Sequence, residues 1–219
     1  MLTFQDIKNN EDVNTYITKA DESLCALGFT EHSFAHVTRT AEDAGYILKT
    51  LGYPERDIDL AKISGYLHDI GNLVNRKSHP FSGASMAFHL LDKLGFSASE
   101  IATVTTAIGN HDEGTGVPVD HVCAALILAD KSDVRRSRVR NREISSFDIH
   151  DRVNYSVKKS VLKINEERTL IKLKLTVDTK YGSVMDYFEI FLNRMIMCRK
   201  AAEKLNLEFK LIINEQQLI

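Results

Sequence analysis

The sequence predicts a mainly α-helical protein that ends in a small α+β module. Apolar residues recur at helical spacing in successive segments up to about residue 150. The pattern then changes to alternation within the stretch VKKSVLKINEERTLIKLKLTV. Histidine and aspartate residues stand at the ends of several predicted helices. We therefore expect a helical bundle with a metal site over residues 1–150 and a ββαβ module over residues 151–219.

Length and composition fit one domain of ordinary size with a small appendage. The 219 residues are 43% hydrophobic, which is enough to bury a core. Charged residues make up 26% and nearly cancel to a formal net charge of −2, so the overall charge does not indicate a nucleic acid or an anionic membrane as the partner. The amino-terminal residues lack the layout of a signal peptide, and no apolar run approaches the roughly 20 residues that span a bilayer. We expect a cytoplasmic protein.

The first two long helices are marked by apolar stripes and by glycine at their ends. Residues 11–27 place apolar side chains at near-helical spacing, and Gly28 follows as a stop. Residues 34–51 repeat the pattern up to Gly52 and carry His36 near their start. Each stretch therefore predicts a helix.

The next helices bring more histidine and aspartate to helix ends. The stretch DIDLAKISGYLHDIG places His68 and Asp69 in a last helical turn, which Gly71 closes. Further helices are predicted in FSGASMAFHLLDKLG, in SASEIATVTTAIGNH with Ser97 as N-cap, and in DHVCAALILADKSDV with Asp120 as N-cap. Everything up to about residue 150 is therefore expected to be helical.

The carboxy-terminal third has a different pattern. Residues 170–176 alternate between apolar and polar side chains, and the polar NEER before them predicts a hairpin. Helical spacing returns in GSVMDYFEIFLNRMIMCRKAAEKL, and LEFKLII predicts a last strand. With only three prolines and no low-complexity tract, the two parts are expected to pack together without a long linker.

Side chains that bind metal ions fall on different predicted helices. His36, His68 with Asp69, His111 and Asp130 can therefore converge on one point of a bundle. Imidazole and carboxylate together suit Fe, Mn, Co, Ni or Zn, whereas Mg prefers oxygen ligands. The three cysteines lie far apart and suggest neither a zinc knuckle nor a disulfide framework.

These residues match a known pattern. His36, then His68-Asp69 inside GYLHDIG, then Asp130 inside LILADKSD resemble the HD superfamily of metal-dependent phosphohydrolases over roughly residues 30–140. The resemblance implies an all-α bundle, and its two-metal members add histidines between the HD pair and the last aspartate. The implied ligands are His36, His68, Asp69 and Asp130 for one ion, and Asp69 as a bridge with His79 and His111 for a second. We expect two divalent ions, Fe or Mn in first place, with Co, Ni, Zn or Mg as alternatives.

The same resemblance suggests a class of substrate. The segment NHDEGTGVP is similar to a shortened form of the motif in cyclic-dinucleotide phosphodiesterases of the HD-GYP type, without their doubled histidine and tyrosine. The pattern of four histidines and two aspartates is also similar to that of a bacterial hydrolase of diadenosine tetraphosphate. A nucleotide or dinucleotide is therefore the expected substrate.

A basic segment follows the last proposed ligand. In KSDVRRSRVRNR, three cations, Lys131, Arg135 and Arg138, recur at helical spacing, and we expect them on one helix face as the site that binds substrate phosphate. The expected catalytic residues are Asp69 as the bridge, Lys131 beside the site, and Asp112 as a carboxylate that orients a ligand histidine.

Other histidines are expected outside the site. His32, His89, His121 and His150 fit surface or capping positions, since none of them belongs to the pattern above.

Three functions are compatible with these residues. The leading hypothesis is hydrolysis of a phosphomonoester or phosphodiester by a metal-activated hydroxide. The alternatives are di-iron oxygenation of a polyol or phosphonate by the same ligands, and nucleotide sensing without turnover. The arginine-rich segment favours hydrolysis. The expected partner is a small phosphorylated substrate, neither a membrane nor a nucleic acid is expected, and a homodimer is left open.

Overall fold

The computed structural model describes residues 2–218. Its longer helices lie where the apolar stripes predict them, whereas the short helices at residues 4–8 and 149–156 were not predicted. The α-helices are α1 Phe4–Lys8, α2 Glu11–Ala26, α3 Phe34–Leu51, α4 Glu55–Leu67, α5 His79–Leu94, α6 Ala98–Gly109, α7 His121–Ser132, α8 Ile149–Ser156 and α9 Val184–Lys204. Short 3₁₀ turns cover Ile70–Leu73, Arg136–Arg138 and Ile144–Ser146. The prediction of a mainly α-helical protein with a small α+β carboxy-terminal part is confirmed.

Several predicted helix boundaries have the expected capping groups. The Ser97 hydroxyl accepts a hydrogen bond from the Glu100 amide, and Asp120 accepts one from the Cys123 amide. Gly52 ends α3 with a φ of 83°, a left-handed conformation that glycine adopts without strain.

The carboxy-terminal sheet has the order β1-β2-β3-β4. Its strands are β1 Val157–Ile164, β2 Leu170–Val177, β3 Glu208–Ile213 and β4 Gln216–Gln217. The first two strands form an antiparallel hairpin, β3 runs parallel to β2 after the crossover through α9, and β4 adds a two-residue antiparallel edge. The ββαβ prediction is therefore confirmed, with α8 before it and the short β4 after it.

Two hydrophobic clusters hold these elements together. The larger one surrounds α7, whose residues 122–132 are all buried, and joins α3 and α4 to α9 and the sheet. The smaller one packs α1, α2, α5 and α6 against α4. The division of the chain at residue 150 stays a prediction, and the larger cluster contains residues from both sides of it. Helix α7 thus holds the metal-site bundle against the carboxy-terminal elements.

Hydropathy along the helices bears on the membrane question. None of the helices within residues 2–218 is both long enough and apolar enough to span a bilayer.

Candidate metal centre

The HD segment lies at the end of a helix, as predicted. Helix α4 ends at Leu67, His68 is its C-cap, and Asp69 follows before the 3₁₀ turn. This break lets two adjacent side chains face one centre, which consecutive positions within a helix would not allow.

Gly71 has a role other than the expected helix stop. It lies inside the 3₁₀ turn, where a Cβ atom would collide with the His79 carbonyl oxygen and the Gly83 amide nitrogen. Glycine at this position therefore allows the start of α5, and with it His79, to pack against the HD segment.

The first group of candidate ligands surrounds one point at the ends of α3, α4 and α7. The Nε2 atoms of His36 and His68 lie 3.2 Å apart. Oδ1 of Asp130 is 3.3 Å from Nε2 of His36 and 3.6 Å from Nε2 of His68. Oδ2 of Asp69 is 3.5 Å from Nε2 of His36 and 3.2 Å from Nε2 of His68. All four residues are more than nine-tenths buried.

The second group begins at the other oxygen of the same aspartate. Oδ1 of Asp69 lies 3.7 Å from Nε2 of His79, which in turn is 3.1 Å from Nε2 of His111. One carboxylate thus directs one oxygen toward each group. This is the arrangement that a bridging ligand requires.

The opposite ring nitrogens fix the tautomers of these histidines. The carbonyl partners of the Nδ1 atoms are Gly65 for His68, Arg76 for His79 and Ile108 for His111, at 2.6 to 2.8 Å. A carbonyl only accepts, so each Nδ1 carries a hydrogen and each neutral ring turns a lone pair on Nε2 toward the centre. The Nε2 atoms of His79 and His111 lie 3.1 Å apart and would repel one another as two lone pairs, and a shared cation removes that repulsion.

The spacing of the donors fits a first-row metal ion. Bonds of about 2.1 Å place neighbouring donor atoms roughly 3.0 to 3.4 Å apart in octahedral or tetrahedral coordination. The five separations measured within the first group run from 3.2 to 3.6 Å. Imidazole and carboxylate are the donor types that Fe, Mn, Co, Ni and Zn share. The site can therefore hold a divalent ion.

Charge distinguishes the two groups. Burial by itself lowers the pKa of His68, but the neighbouring charges of Asp69 and Asp130 outweigh it and raise that pKa to about 10. The pKa of His36 is also raised despite burial, because it hydrogen-bonds to carboxylates. The first group is thus an environment that favours positive charge.

The second group has the opposite tendency. Burial lowers the pKa of His79 below its usual value, and burial together with the charge of His68 lowers the pKa of His111 well below it. Both rings are therefore neutral near pH 7, the form that binds metal ions.

A buried aspartate behind the site orients His36. Nδ1 of His36 donates to Oδ2 of Asp133 over 2.8 Å, and Asp133 is fully buried. Nε of Arg135 donates to Oδ1 of Asp133, and Arg138 donates to its carbonyl oxygen, each over 2.9 Å. The aspartate thus fixes the ring orientation of a candidate ligand. Asp133 was not among the predicted site residues, although it lies three residues after Asp130.

The expectation that three cations share one helix face was wrong. Helix α7 ends at Ser132, Arg135 has an extended backbone, and Arg138 lies in a 3₁₀ turn. Asp133 is the C-cap of this helix, and beyond it the chain turns so that Arg135 and Arg138 both donate hydrogen bonds back to Asp133. Substrate binding by Arg135 stays a prediction, since its guanidinium contacts Asp133, Glu31 and Ser137.

Lys131 lies next to the first group. Its Nζ atom is 2.8 Å from Oδ2 of Asp130 and 2.7 Å from Oε2 of Glu113. Nε of Arg194, on α9, donates to the other oxygen of Glu113 over 2.9 Å. This chain of ion pairs links a candidate ligand to the carboxy-terminal part of the molecule. Glu113 and Arg194 were not predicted, because nothing in the sequence indicates that α9 approaches this loop.

Asp112 lies on a different side of its histidine from the one predicted. Its Oδ1 atom is 4.0 Å from Nε2 of His79, whereas Nδ1 of that ring is bound by the Arg76 carbonyl. Asp112 therefore faces the side of the ring where an ion would lie and does not orient the ring from behind.

A cavity of about 210 Å³ adjoins the centre. Three residues that line it contact the ligands or their partners: the His32 ring packs edge-on against His36, Arg76 lies 3.7 Å from Asp69, and Arg194 binds Glu113. The full lining is Leu27, Gly28, Phe29, Thr30, His32, Arg76, Arg138, Asp148, His150, Asp151, Asn154, Phe191 and Arg194. The cavity thus offers a small molecule a place beside the metal centre.

Two histidines outside the ligand pattern line the cavity, and one of them departs from the position that the sequence predicted. His32 was expected at the surface or in a cap, but it is buried with Nδ1 donating to the Thr30 carbonyl, and it lines the cavity. His150 is exposed, as predicted, and it lines the cavity as well. Both lie outside the ligand pattern and reach the cavity only through the fold.

Comparison with known proteins agrees with this geometry. The HD-domain family model matches residues 33–153, more than half of the chain and a range that contains all six candidate ligands. An uncharacterized protein of Methanocaldococcus jannaschii is 24% identical over 205 residues, which cover 83% of this chain and 78% of that protein. Ribonuclease Y 1 of Pediococcus pentosaceus is 33% identical over 113 residues, which cover 51% of this chain and 20% of the ribonuclease. The chain therefore belongs to the HD-domain family, whose members bind divalent metal ions and are in general hydrolases.

Proposed function

We propose that this protein is a metal-dependent phosphohydrolase with two divalent ions, and that it cleaves a phosphate ester of a small molecule such as a nucleotide. One observation carries the proposal. Four buried Nε2 atoms converge with two aspartates, while hydrogen bonds to Nδ1 hold every ring in the metal-binding tautomer.

The residues divide between the two ions. The first set is His36, His68, Asp69 and Asp130, and the second is Asp69, His79 and His111, with Fe or Mn as the preferred ions. Ions held there supply Lewis acidity and bring the pKa of a bound water to about 7.

Other residues of the chain position the reacting groups. Lys131 neutralises Oδ2 of Asp130, which keeps Oδ1 directed toward the first group. Asp112 accepts a hydrogen bond from the Gly114 amide through Oδ2, so that Oδ1 faces the second group. We assign Asp112 to orient the attacking water as a hydrogen-bond acceptor.

Arginines line the cavity beside the centre. Arg76, Arg138 and Arg194 all line the cavity, and their guanidinium groups suit phosphate oxygens. With Lys131 beside Asp130, they offset the negative charge that a phosphate would meet at the carboxylates. This distribution of charge favours phosphate ester hydrolysis over oxygenation of a neutral polyol.

The test is turnover by purified protein that has been stripped of metal and reloaded with Mn, Fe, Co or Ni. We expect release of inorganic phosphate or nucleotide from a panel of nucleotides, dinucleotides and a short RNA, the last because of the similarity to a ribonuclease. The His68→Ala variant is expected to be inactive while keeping its helical circular dichroism. Oxygen consumption with a polyol or phosphonate, or tight nucleotide binding without turnover in every metal, would contradict hydrolysis.

A further inference from the structure

The cavity beside the metal centre has two chemically different sides. On one side, Arg76 pairs with the candidate ligand Asp69, Arg138 donates to the carbonyl of Asp133, and Arg194 binds Glu113, the partner of Lys131. On the other side, Asp148 is the N-cap of α8, and Asp151 and Asn154 lie on that helix, which packs against α9 and the 3₁₀ turn Arg136–Arg138. One side thus carries positive charge and the other carries carboxylates and an amide.

Asn154 indicates that the α8 side accommodates a polar ligand. This residue is 6% exposed, and its Nδ2 atom donates to the His150 carbonyl. Among the hydrogen bonds of residues 2–218, none involves its Oδ1 atom, although the side chain lines the cavity. The oxygen stays accessible from the cavity, so it can accept a hydrogen bond from a ligand or from water there.

The neighbouring carboxylates add acceptors to the same side. Oδ1 of Asp148 caps α8 by accepting from the Asp151 amide, and Oδ2 of Asp151 accepts from Asn141. Each carboxylate has a second oxygen and several lone pairs for further donors. Carboxylates in this position repel phosphate but bind hydroxyl groups, as aspartate does with ribose hydroxyls in dinucleotide-binding proteins.

The size of the cavity limits its occupant. Sites for drug-sized ligands are commonly about 300 to 1,000 Å³, and this cavity is about 210 Å³. A group the size of a phosphorylated sugar fits that volume, whereas a whole dinucleotide exceeds it.

Resting on the proposed function, we propose that the cavity binds a phosphate monoester whose leaving group is a hydroxyl-bearing, ribose-sized sugar, free or as the sugar of a mononucleotide. The arginine side takes the phosphate, and Asp148, Asp151 and Asn154 accept hydrogen bonds from the sugar hydroxyls. These three residues determine specificity and do not take part in bond cleavage.

The test compares two phosphate esters that differ in the leaving group. Ribose 5-phosphate carries hydroxyl donors, and phenyl phosphate carries none. For the Mn-loaded double variant Asp148→Asn/Asp151→Asn, we expect kcat/KM for ribose 5-phosphate to fall about tenfold or more, because charge-assisted hydrogen bonds are lost. The value for phenyl phosphate should stay within about twofold of the wild type. Asparagine is also a good N-cap, so α8 keeps its cap.

Two exposed glutamates of α9, which lie outside the cavity, provide a control. The double variant Glu189→Gln/Glu203→Gln makes the same change in charge outside the cavity and is expected to match the wild type with both esters. A second readout does not require turnover. Calorimetry on metal-stripped protein should show ribose 5-phosphate binding about tenfold more weakly to the Asp148→Asn/Asp151→Asn variant than to the wild type.

Failure of this inference differs from failure of the proposed function. Equal effects on both esters, or no preference of the wild type for ribose 5-phosphate in either assay, would overturn the assignment of the α8 side. Absence of phenyl phosphate turnover with every metal would instead count against hydrolysis, and calorimetry would still test whether α8 binds the sugar.

Discussion

The two groups of candidate ligands share one aspartate but differ in charge and support. The first group combines two histidines with Asp69 and Asp130, and Asp133 holds one of its rings from behind. The second has two histidines and the remaining oxygen of Asp69, and backbone carbonyls hold both rings. The pKa of His68 is raised to about 10, whereas the pKa values of His79 and His111 are lowered.

For the proposed two-metal centre, this difference predicts the order in which the ions bind. A site rich in carboxylates attracts a cation strongly, whereas a site of two neutral imidazoles gains its negative charge mainly from the shared Asp69. We therefore expect the first group to bind its ion more tightly, and the second group to depend on the bridge.

Removing the bridge should have the largest effect. In the Asp69→Ala variant we expect loss of both ions and a fall in kcat of at least about 10³-fold, because both groups lose a ligand. Metal content by mass spectrometry and phosphate release measure the two effects. Asp57→Ala, which removes an aspartate that instead pairs with His121, is the control for the chemical change. Retention of one tightly bound ion in the Asp69→Ala variant would show that the groups are independent.

Removing one histidine from each group should separate them. His68→Ala is expected to leave the protein without bound metal, while His111→Ala should retain about one ion per chain and lose most activity. Both variants remove one buried imidazole, so each serves as the matched control for the other. Equal metal content in the two variants would contradict the proposed order of binding.

Replacing the aspartate behind the site should have an intermediate effect. In the Asp133→Asn variant, His36 keeps a hydrogen-bond acceptor but loses the neighbouring charge, and we expect the affinity of the first ion to fall about 10- to 100-fold. Competition with a metal-binding dye measures this affinity. The affinity of the second ion is expected to change only through the shared ligand Asp69. An unchanged affinity of the first ion would exclude an effect of Asp133 on metal binding.

The smallest expected effect is a difference between the two groups in how their metal affinity changes with pH. His68 has a pKa of about 10 in the metal-free protein, so below that pH an ion must displace its proton. The affinity of the first ion should therefore rise with pH, by up to about tenfold per unit between pH 7 and 9. The pKa values of His79 and His111 are lowered, so these rings bind no proton in that range and the second affinity should change much less. Parallel slopes in dye competition at pH 7, 8 and 9 would contradict the assignment.

The sequence allowed the helices and the ligand candidates to be predicted because both follow from local pattern. Periodicity placed the helix that contains His36, and the break after Leu67 is visible in the HD segment itself. The six candidate ligands come together because each lies at or near a helix terminus, as their positions in the sequence predicted.

The surroundings of the centre depend on contacts between distant parts of the chain. Arg194 reaches Glu113 across 81 positions, and His36 reaches Asp133 across 97. No periodicity or spacing indicates such pairs. The basic segment was mispredicted for the same reason. Its regular spacing of cations predicted a helix, whereas α7 ends at Ser132 and buried Asp133 is its C-cap.

A crystal structure of Mn-loaded protein with diffraction measured at the manganese edge would test the two-metal centre most directly. We predict two anomalous peaks about 3.5 to 4 Å apart, one within reach of His36, His68 and Asp130, the other within reach of His79 and His111, and Asp69 between them. A single peak bound by only one of the groups, or peaks away from these six side chains, would contradict the account.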